Sequence, residues 1–238
     1  YLDVTKSQMF FAKGIIFVEG ISEAILLPEI AKILDRPLEK YAVELVNVDS
    51  VAFSPFVNLF SSQNVQTCFS KVAIVTDDDR CTKKSETNYI NKDFDYDDVN
   101  SDISGKLLSG TPSERCNELE TSCRAVGINV FKATKTLEYA LCCDENNIEY
   151  FIEAIKSEYS QLGPALEQKV NSLHDMNEKA ACVWLFIRAR EKCKGAIAQY
   201  ISQIIKKQCE MRKRGENIEK EFVIPDYLKE AVYCVTER

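Results

Sequence analysis

The sequence predicts an α/β fold, a parallel sheet flanked by helices with a helical second domain or insertion. Three observations carry this expectation. Gly14–Val18, Val43–Val48 and Lys71–Thr76 are short apolar runs, as strands buried on both faces read. Segments of helical spacing alternate with them, the pattern of a sheet built from strand–helix–strand units. Beyond about Leu137 the strand signal stops and helical periodicity takes over.

Gly14-Ile-Ile-Phe-Val-Glu19 opens the fold as a strand ending in an acid. Gly20-Ile-Ser22 makes a turn, with Ser22 suited to cap the next helix and Gly20 free for a positive φ or a close backbone approach. Over residues 23–34, Leu26, Leu27, Ile30, Ile33 and Leu34 share a face, and Pro28 is expected to kink the helix or delay its start. An aromatic helical stretch covers Phe53 to Phe60 after the second strand. The third strand ends at Asp77-Asp78-Asp79. Residues 80–111 are polar, acidic and weakly periodic, and read as a long loop or insertion. A helix is expected over 112–126 with Pro112 in its first turn, then a strand over Ile128–Lys132. Helices follow over 137–160, 164–173, 177–192, 194–214 and 225–235, with a break at Gly163-Pro164 and a stop at Gly215. In domain terms this gives an α/β core over 1–140, a helical insertion over 141–191, and a basic helix with a C-terminal helix returning to the core over 192–238.

The chain has 238 residues, enough for one domain or two small ones, and 45% of them are apolar. Thirty Lys and Arg face 37 Asp and Glu, a net charge of −7, so bulk charge alone would not hold it on nucleic acid. The single His, His174, leaves too little imidazole for a His-based catalytic or metal site and reads as a surface residue. Any metal centre must therefore rest on carboxylates. Ten cysteines lack CxxC pairs and zinc spacing, and without a secretory signal they read as reduced thiols of a cytoplasmic protein. Cys142-Cys143 is expected to pack in the interior beside Tyr139 and Leu141, and Trp184 to lie in a helical core. No apolar run approaches a membrane span, so no membrane partner is expected.

Two acidic groups stand out. Glu19 and Glu23 lie four residues apart across a strand-to-helix turn, where both carboxylates can share one mouth. In Asp77-Asp78-Asp79, Asp77 and Asp79 face one way in an extended segment and Asp78 the other. Three consecutive acids repel unless solvated or bound to a cation, and an oxygen-only set suits Mg²⁺ or Mn²⁺. Residues 188–220 hold ten basic residues against Glu191, Glu210, Glu216 and Glu219, a local charge of +6. Arg188, Arg190, Lys192, Lys206 and Lys207 are the candidates there for contact with DNA phosphates.

Together these motifs resemble the Toprim domain, with Glu at the end of one strand and Asp-x-Asp at the end of a later one. The resemblance extends to the C-terminal region of the OLD (overcoming lysogenization defect) family of nucleases. Residues Tyr1–Gly20 resemble the lead-in to that region, Thr136-Leu-Glu138-Tyr139 a further acidic motif, and Lys194-Gly195-Ala-Ile-Ala-Gln199 the Lys-Gly-x-x-Ala-Gln motif. It implies a metal-dependent DNA endonuclease or nickase of a phage-defence type. Glu19, Glu23, Asp77, Asp79 and Glu138 would bind two ions of Mg²⁺ or Mn²⁺, and Glu19 and Lys194 would be catalytic. It also implies an ABC-type ATPase domain preceding this region, with ATP bound only there, and family members commonly assemble as oligomers. A chain opening at Tyr1 is then expected to be the nuclease half of a longer protein.

Two positions depart from the family pattern. Asp78 stands where a small or apolar residue is usual, and the extra carboxylate would compete as a ligand or weaken phosphate approach. Arg80 follows it, placed to offset that charge or to touch substrate. Ala196 replaces a basic or bulkier residue. Two other readings stay open. Asp77-x-Asp79 with Thr82 superficially fits a haloacid-dehalogenase-like phosphatase, with the Thr displaced by one position and Glu19 and Glu23 left without a role. An inactive DNA-binding or assembly module would retain the acids as remnants.

Overall fold

The computed structural model describes residues 8–60 and 71–237. The expectations for Tyr1–Ser7, in the lead-in, and for Cys68 lie outside the described residues. A four-stranded parallel sheet forms from β1 (Gly14–Val18), β2 (Val43–Asn47), β3 (Lys71–Asp77) and β4 (Asn129–Ala133), in the order β2-β1-β3-β4. Strand β1 runs parallel to both neighbours, pairing Val18 with Asn47 on one side and with Val75 on the other.

The chain divides into two compact units that interleave in sequence. One comprises residues 1–76, 114–132 and 224–238, the other 77–113 and 133–223. The consecutive segments suggested by sequence differ from this, because residues 77–113 and 133–140 group with the helical unit.

The first unit holds the sheet together with α1 (Ile21–Ile33), α2 (Ser54–Leu59), α4 (Glu114–Arg124) and α10 (Asp226–Thr236). Every residue of β1 is buried. Ile15 and Phe17 join Phe53, Phe56, Phe60 and Ile74 in one core cluster, with the Phe17 and Phe56 rings 5.0 Å apart. Helices α1 and α10 pack on each other, and α10 also packs on β1. Gly14 is required there, since a Cβ would lie 2.9 Å from the Val235 carbonyl oxygen. Helix α1 runs through Pro28, and burial of Leu26, Leu27 and Ile30 outweighs the lost backbone bond. Its N-cap is Gly20, without a side-chain bond, so Ser22 is a buried helical residue and not the cap. Gly20 has extended backbone angles, so the positive φ anticipated as one option is not used.

The second unit holds α3 (Ser101–Ser109), α5 (Leu137–Leu141), α6 (Glu145–Glu158), α7 (Leu162–Ser172), α8 (Met176–Arg188) and α9 (Lys194–Arg214). Helix α8 is central, touching α3, α5, α6 and α7. All residues from Ala180 to Ile187 are buried, as expected of a helix apolar all round. Trp184 is thus core, and His174 is exposed.

Several local expectations change. Residues 80–111 contain α3, capped by the Asn100 side chain, with Ile103 and Leu107 buried. Ile103, Leu107 and Leu108 on either side of Gly105 gave too little periodicity to reveal it. The helix expected over 137–160 breaks at Cys142–Asp144, where Asp144 caps α6 by accepting from the amides of Asn146 and Asn147. Pro112 precedes α4 and does not enter it. Cys142 is buried but Cys143 is exposed. Helix α9 matches its expected bounds and closes on Gly215, whose φ of 70° favours glycine.

Candidate acidic site and nucleic-acid interface

In the first unit, Glu19 follows the last residue of β1, and the β1–β3 register places it opposite Thr76. The Thr76 hydroxyl donates to Glu19 Oε2 at 2.6 Å. Arg115, in the first turn of α4, brings Nη2 to 3.7 Å of the same oxygen. Glu23 lies in the first turn of α1, where the helix dipole favours an anion. It is only 6% exposed. A Cβ on Gly20 would come to 3.4 Å of Glu23 Oε2, so this carboxylate folds back over the turn that begins at Glu19.

In the second unit, burial alternates through the aspartates. Asp77, the last residue of β3, and Asp79 are half-buried, and Asp78 is buried. Asp77 Oδ1 accepts from the Leu137 amide at 2.9 Å, at the first residue of α5. Thr136 caps that helix by accepting from the Tyr139 amide, which fixes Glu138 in its first turn. Glu138 is 6% exposed, and Lys194 Nζ, from the first residue of α9, stands 3.8 Å from its Oε1. Three motifs that lie far apart in sequence, at residues 77, 136–138 and 194, are therefore linked by direct contacts.

Lys135, adjacent to these groups, was not singled out by sequence. It is buried, has a φ of 65°, and donates from Nζ to the Arg80 carbonyl at 2.7 Å. Burial holds its ammonium below the usual lysine range, with Asp79 the leading charge acting the other way. Arg115 and Thr76 were also missed. Thr76 carried a faint signal as a polar residue ending an apolar run, while Arg115 carried none.

The expected ligands Glu19, Glu23, Asp77, Asp79 and Glu138 offer only carboxylate oxygen, which in chemical type fits a hard divalent cation. Among the described residues, no three His, Cys, Asp or Glu side chains are gathered as a metal-binding group. Glu19 and Glu138 each have a basic side chain nearby, Arg115 and Lys194, at distances beyond a direct hydrogen bond.

The basic segment divides into two kinds of residue. Arg188 Nη2 donates to the carbonyls of Asn91 and Phe94, and its guanidinium stacks on Trp184 at 4.8 Å. Burial pulls its pKa down. Arg190 grips Asp95 through two 3.0 Å bonds and lies 4.0 Å over the Phe186 ring. The bond to Asp95 holds its pKa up. Both arginines fasten residues 91–96 through these bonds. Lys192, Lys206 and Lys207 are exposed, as are Arg212, Lys213 and Arg214 at the end of α9. No helix among the described residues is long and apolar enough to cross a membrane.

Residues 10–79 match the family model of the overcoming lysogenization defect protein-like Toprim domain. This chain carries an OLD-like Toprim domain. Solved structures share the fold of this chain over nearly its whole length. The C-terminal region of the Xanthomonas campestris pv. campestris OLD protein aligns with a TM-score of 0.57 and 20% identity, covering 97% of this chain and 95% of that one. The C-terminal region of the Burkholderia pseudomallei OLD protein aligns with a TM-score of 0.54 and 18% identity, covering 96% and 98%. No curated protein matches the sequence. The matched residues contain Glu19, Glu23, Asp77 and Asp79; Glu138 and Lys194 fall outside them.

Proposed function

We propose that this OLD-like Toprim chain is a divalent-metal-dependent DNA endonuclease or nickase, and the nuclease part of a longer ATPase-containing protein. The observation that carries the reading is the OLD-like Toprim match over residues 10–79, with acids at the ends of two of its strands. The contact of Lys194 with Glu138 supports it, because it joins two further motifs on which the family resemblance rests.

Glu19, Glu23, Asp77, Asp79 and Glu138 would hold two ions of Mg²⁺ or Mn²⁺. Such ions, when bound, would supply Lewis-acid activation and charge neutralisation for phosphodiester hydrolysis. The chain's own residues do the remaining work. Thr76 orients the Glu19 carboxylate through its 2.6 Å bond. The Leu137 amide fixes one oxygen of Asp77. Lys194 offers an ammonium to the negative charge that develops on a phosphate oxygen. Arg115 does the same beside Glu19. Lys192, Lys206 and Lys207 draw the DNA backbone through charge alone, without base specificity.

The test is cleavage of supercoiled plasmid with Mg²⁺ or Mn²⁺ by the wild type, Glu19→Ala and Lys194→Ala. We expect the wild type to nick or linearise the plasmid, and each variant to lose most of that activity while keeping its fold. Equal cleavage by all three removes the assignment.

A further inference from the structure

The structure points to Asp78, which interrupts the expected small residue of the Asp-x-Asp motif, as more than an idle extra acid. Its carboxylate is only 3% exposed. Arg80 Nε and Nη2 reach Asp78 Oδ2 at 2.9 and 2.6 Å, and the Arg80 amide donates to Oδ1 at 3.1 Å. Oδ1 also accepts from the Lys135 amide at 2.9 Å. The backbone repeats the linkage: the Asp78 amide donates to the Ala133 carbonyl, and the Asp79 amide to that of Lys135. Arg80 is anchored at its far end by a 3.0 Å bond from Nη1 to the Leu107 carbonyl.

The segment so held is bent. Asp79, Cys81 and Lys135 have φ values of 50°, 62° and 65°, a left-handed conformation that costs non-glycine residues free energy. Such angles persist only where surrounding bonds over-determine them. Asp78 supplies those bonds on both sides, since its one carboxylate ties residue 80 to residue 135. Residue 135 immediately precedes Thr136, the cap of the helix that carries Glu138. Asp78 thereby sets the register between the strand end bearing Asp77 and Asp79 and the helix bearing Glu138.

We infer that Asp78, clamped by Arg80, is a positioning residue that pre-orients Asp77, Asp79 and Glu138 for a divalent cation. It is not itself a ligand. The inference rests on the metal-dependent reading above and specifies which residues build the supporting shell. It also accounts for the extra acid: Arg80 takes up the charge that would otherwise compete for metal or repel phosphate.

The experiment is calorimetric titration of Mn²⁺ into the wild type, Asp78→Asn, Arg80→Gln, the double variant and Asp77→Asn, each checked for fold by circular dichroism. Residues that support metal ligands typically change affinity about 10–100-fold when altered. Each of Asp78→Asn and Arg80→Gln is therefore expected to weaken Mn²⁺ binding by about that factor, with unchanged stoichiometry. The double variant should be no weaker than the weaker single, because both break the same contact. Asp77→Asn should lose a binding event. Unchanged affinity in a folded Asp78→Asn, a lowered stoichiometry in it, or multiplied losses in the double variant overturns the inference. If Asp78→Asn does not fold, Arg80→Lys decides. It keeps the charge but not the forked grip, so it must also weaken binding. A wild type that binds no Mn²⁺ removes the positioning role. A wild type that binds Mn²⁺ yet leaves plasmid intact removes the nuclease reading and leaves this one standing.

Discussion

Asn147 offers the sharpest test of what holds the helical unit together. Its side chain is 1% exposed and makes three hydrogen bonds. Nδ2 donates to the Leu141 carbonyl at 2.9 Å and to the Val223 carbonyl at 2.7 Å, and Oδ1 accepts from the Val223 amide at 2.8 Å. The pair of bonds to Val223 imitates one rung of a β-ladder, and the third satisfies an orphan carbonyl at the end of α5. Gln208 repeats the device, accepting from the Phe222 amide and donating to the Lys220 carbonyl. These two amides hold the backbone of residues 220–223, which belongs to no strand of the described residues. Asn147→Ala removes three bonds worth roughly 0.5–1.5 kcal/mol each, so a loss of about 3 kcal/mol is expected. At about 2–4 °C per kcal/mol, the transition of this unit should fall by about 6–12 °C. Asn146→Ala is the control, since its Nδ2 makes one exposed 3.1 Å bond to the Glu221 carbonyl and should cost under about 0.5 kcal/mol. Thermal and urea unfolding read the size, and hydrogen exchange at the Val223 amide reads the location. A shift for Asn147→Ala no larger than the control's, with Val223 protection retained, would refute the reasoning.

Other expectations follow from the same structure. Lys206→Ala and Lys207→Ala should each reduce the salt slope of DNA binding by about one, measured by fluorescence anisotropy across a salt series. Arg190→Ala should leave that slope unchanged but destabilise the unit by about 1–2 kcal/mol, a half-exposed Asp95 limiting the loss. Gly163→Ala should lower stability by about 1–3 kcal/mol, because a Cβ would lie 2.7 Å from the Lys156 Cα and force α6 and α7 apart. An Ala variant as stable as wild type would show that the helices can shift freely. Burial pushes the Cys123 thiol up to about 11 and the Cys182 thiol up to about 12. Raised values mean less thiolate at a given pH, so at pH 8.5 well under about 1% of either is reactive. Alkylation with iodoacetamide should spare both in the folded protein and reach them only after denaturation. Rapid labelling of Cys182 in the native state would contradict its burial.

The sequence reveals features whose signal is local. Ile15 to Val18 must be interior because four consecutive apolar residues leave no polar face to solvate, and β1 is buried throughout. Lys194 to Gly215 shows its helix in the same way, through periodicity and a glycine stop. The alternating exposure of Asp77, Asp78 and Asp79 agrees with the alternation expected from sequence, although the chain leaves the strand at Asp77 and Asp79 takes a φ of 50°. Charge pattern, in contrast, cannot say which arginines are free. Arg188 and Arg190 read like Lys206 and Lys207 in sequence, yet an aromatic floor and nearby carbonyls draw the first two inward. Asp78 is a parallel case. As a residue type it looks like a third ligand, and the sequence left Arg80 two roles, of which the closed turn shows the pairing with Asp78.

What the sequence determined by itself is the α/β sheet, the acids at strand ends and the basic helix. Each depends on neighbours within a few turns of chain, where spacing fixes geometry. Tertiary structure alone decided that the chain interleaves into two units. It also decided that Arg115 meets Glu19, and that Lys194 meets Glu138 across 56 residues of sequence. Those contacts arise from burying apolar surface contributed by distant segments, and such burial leaves no periodic trace in any one of them.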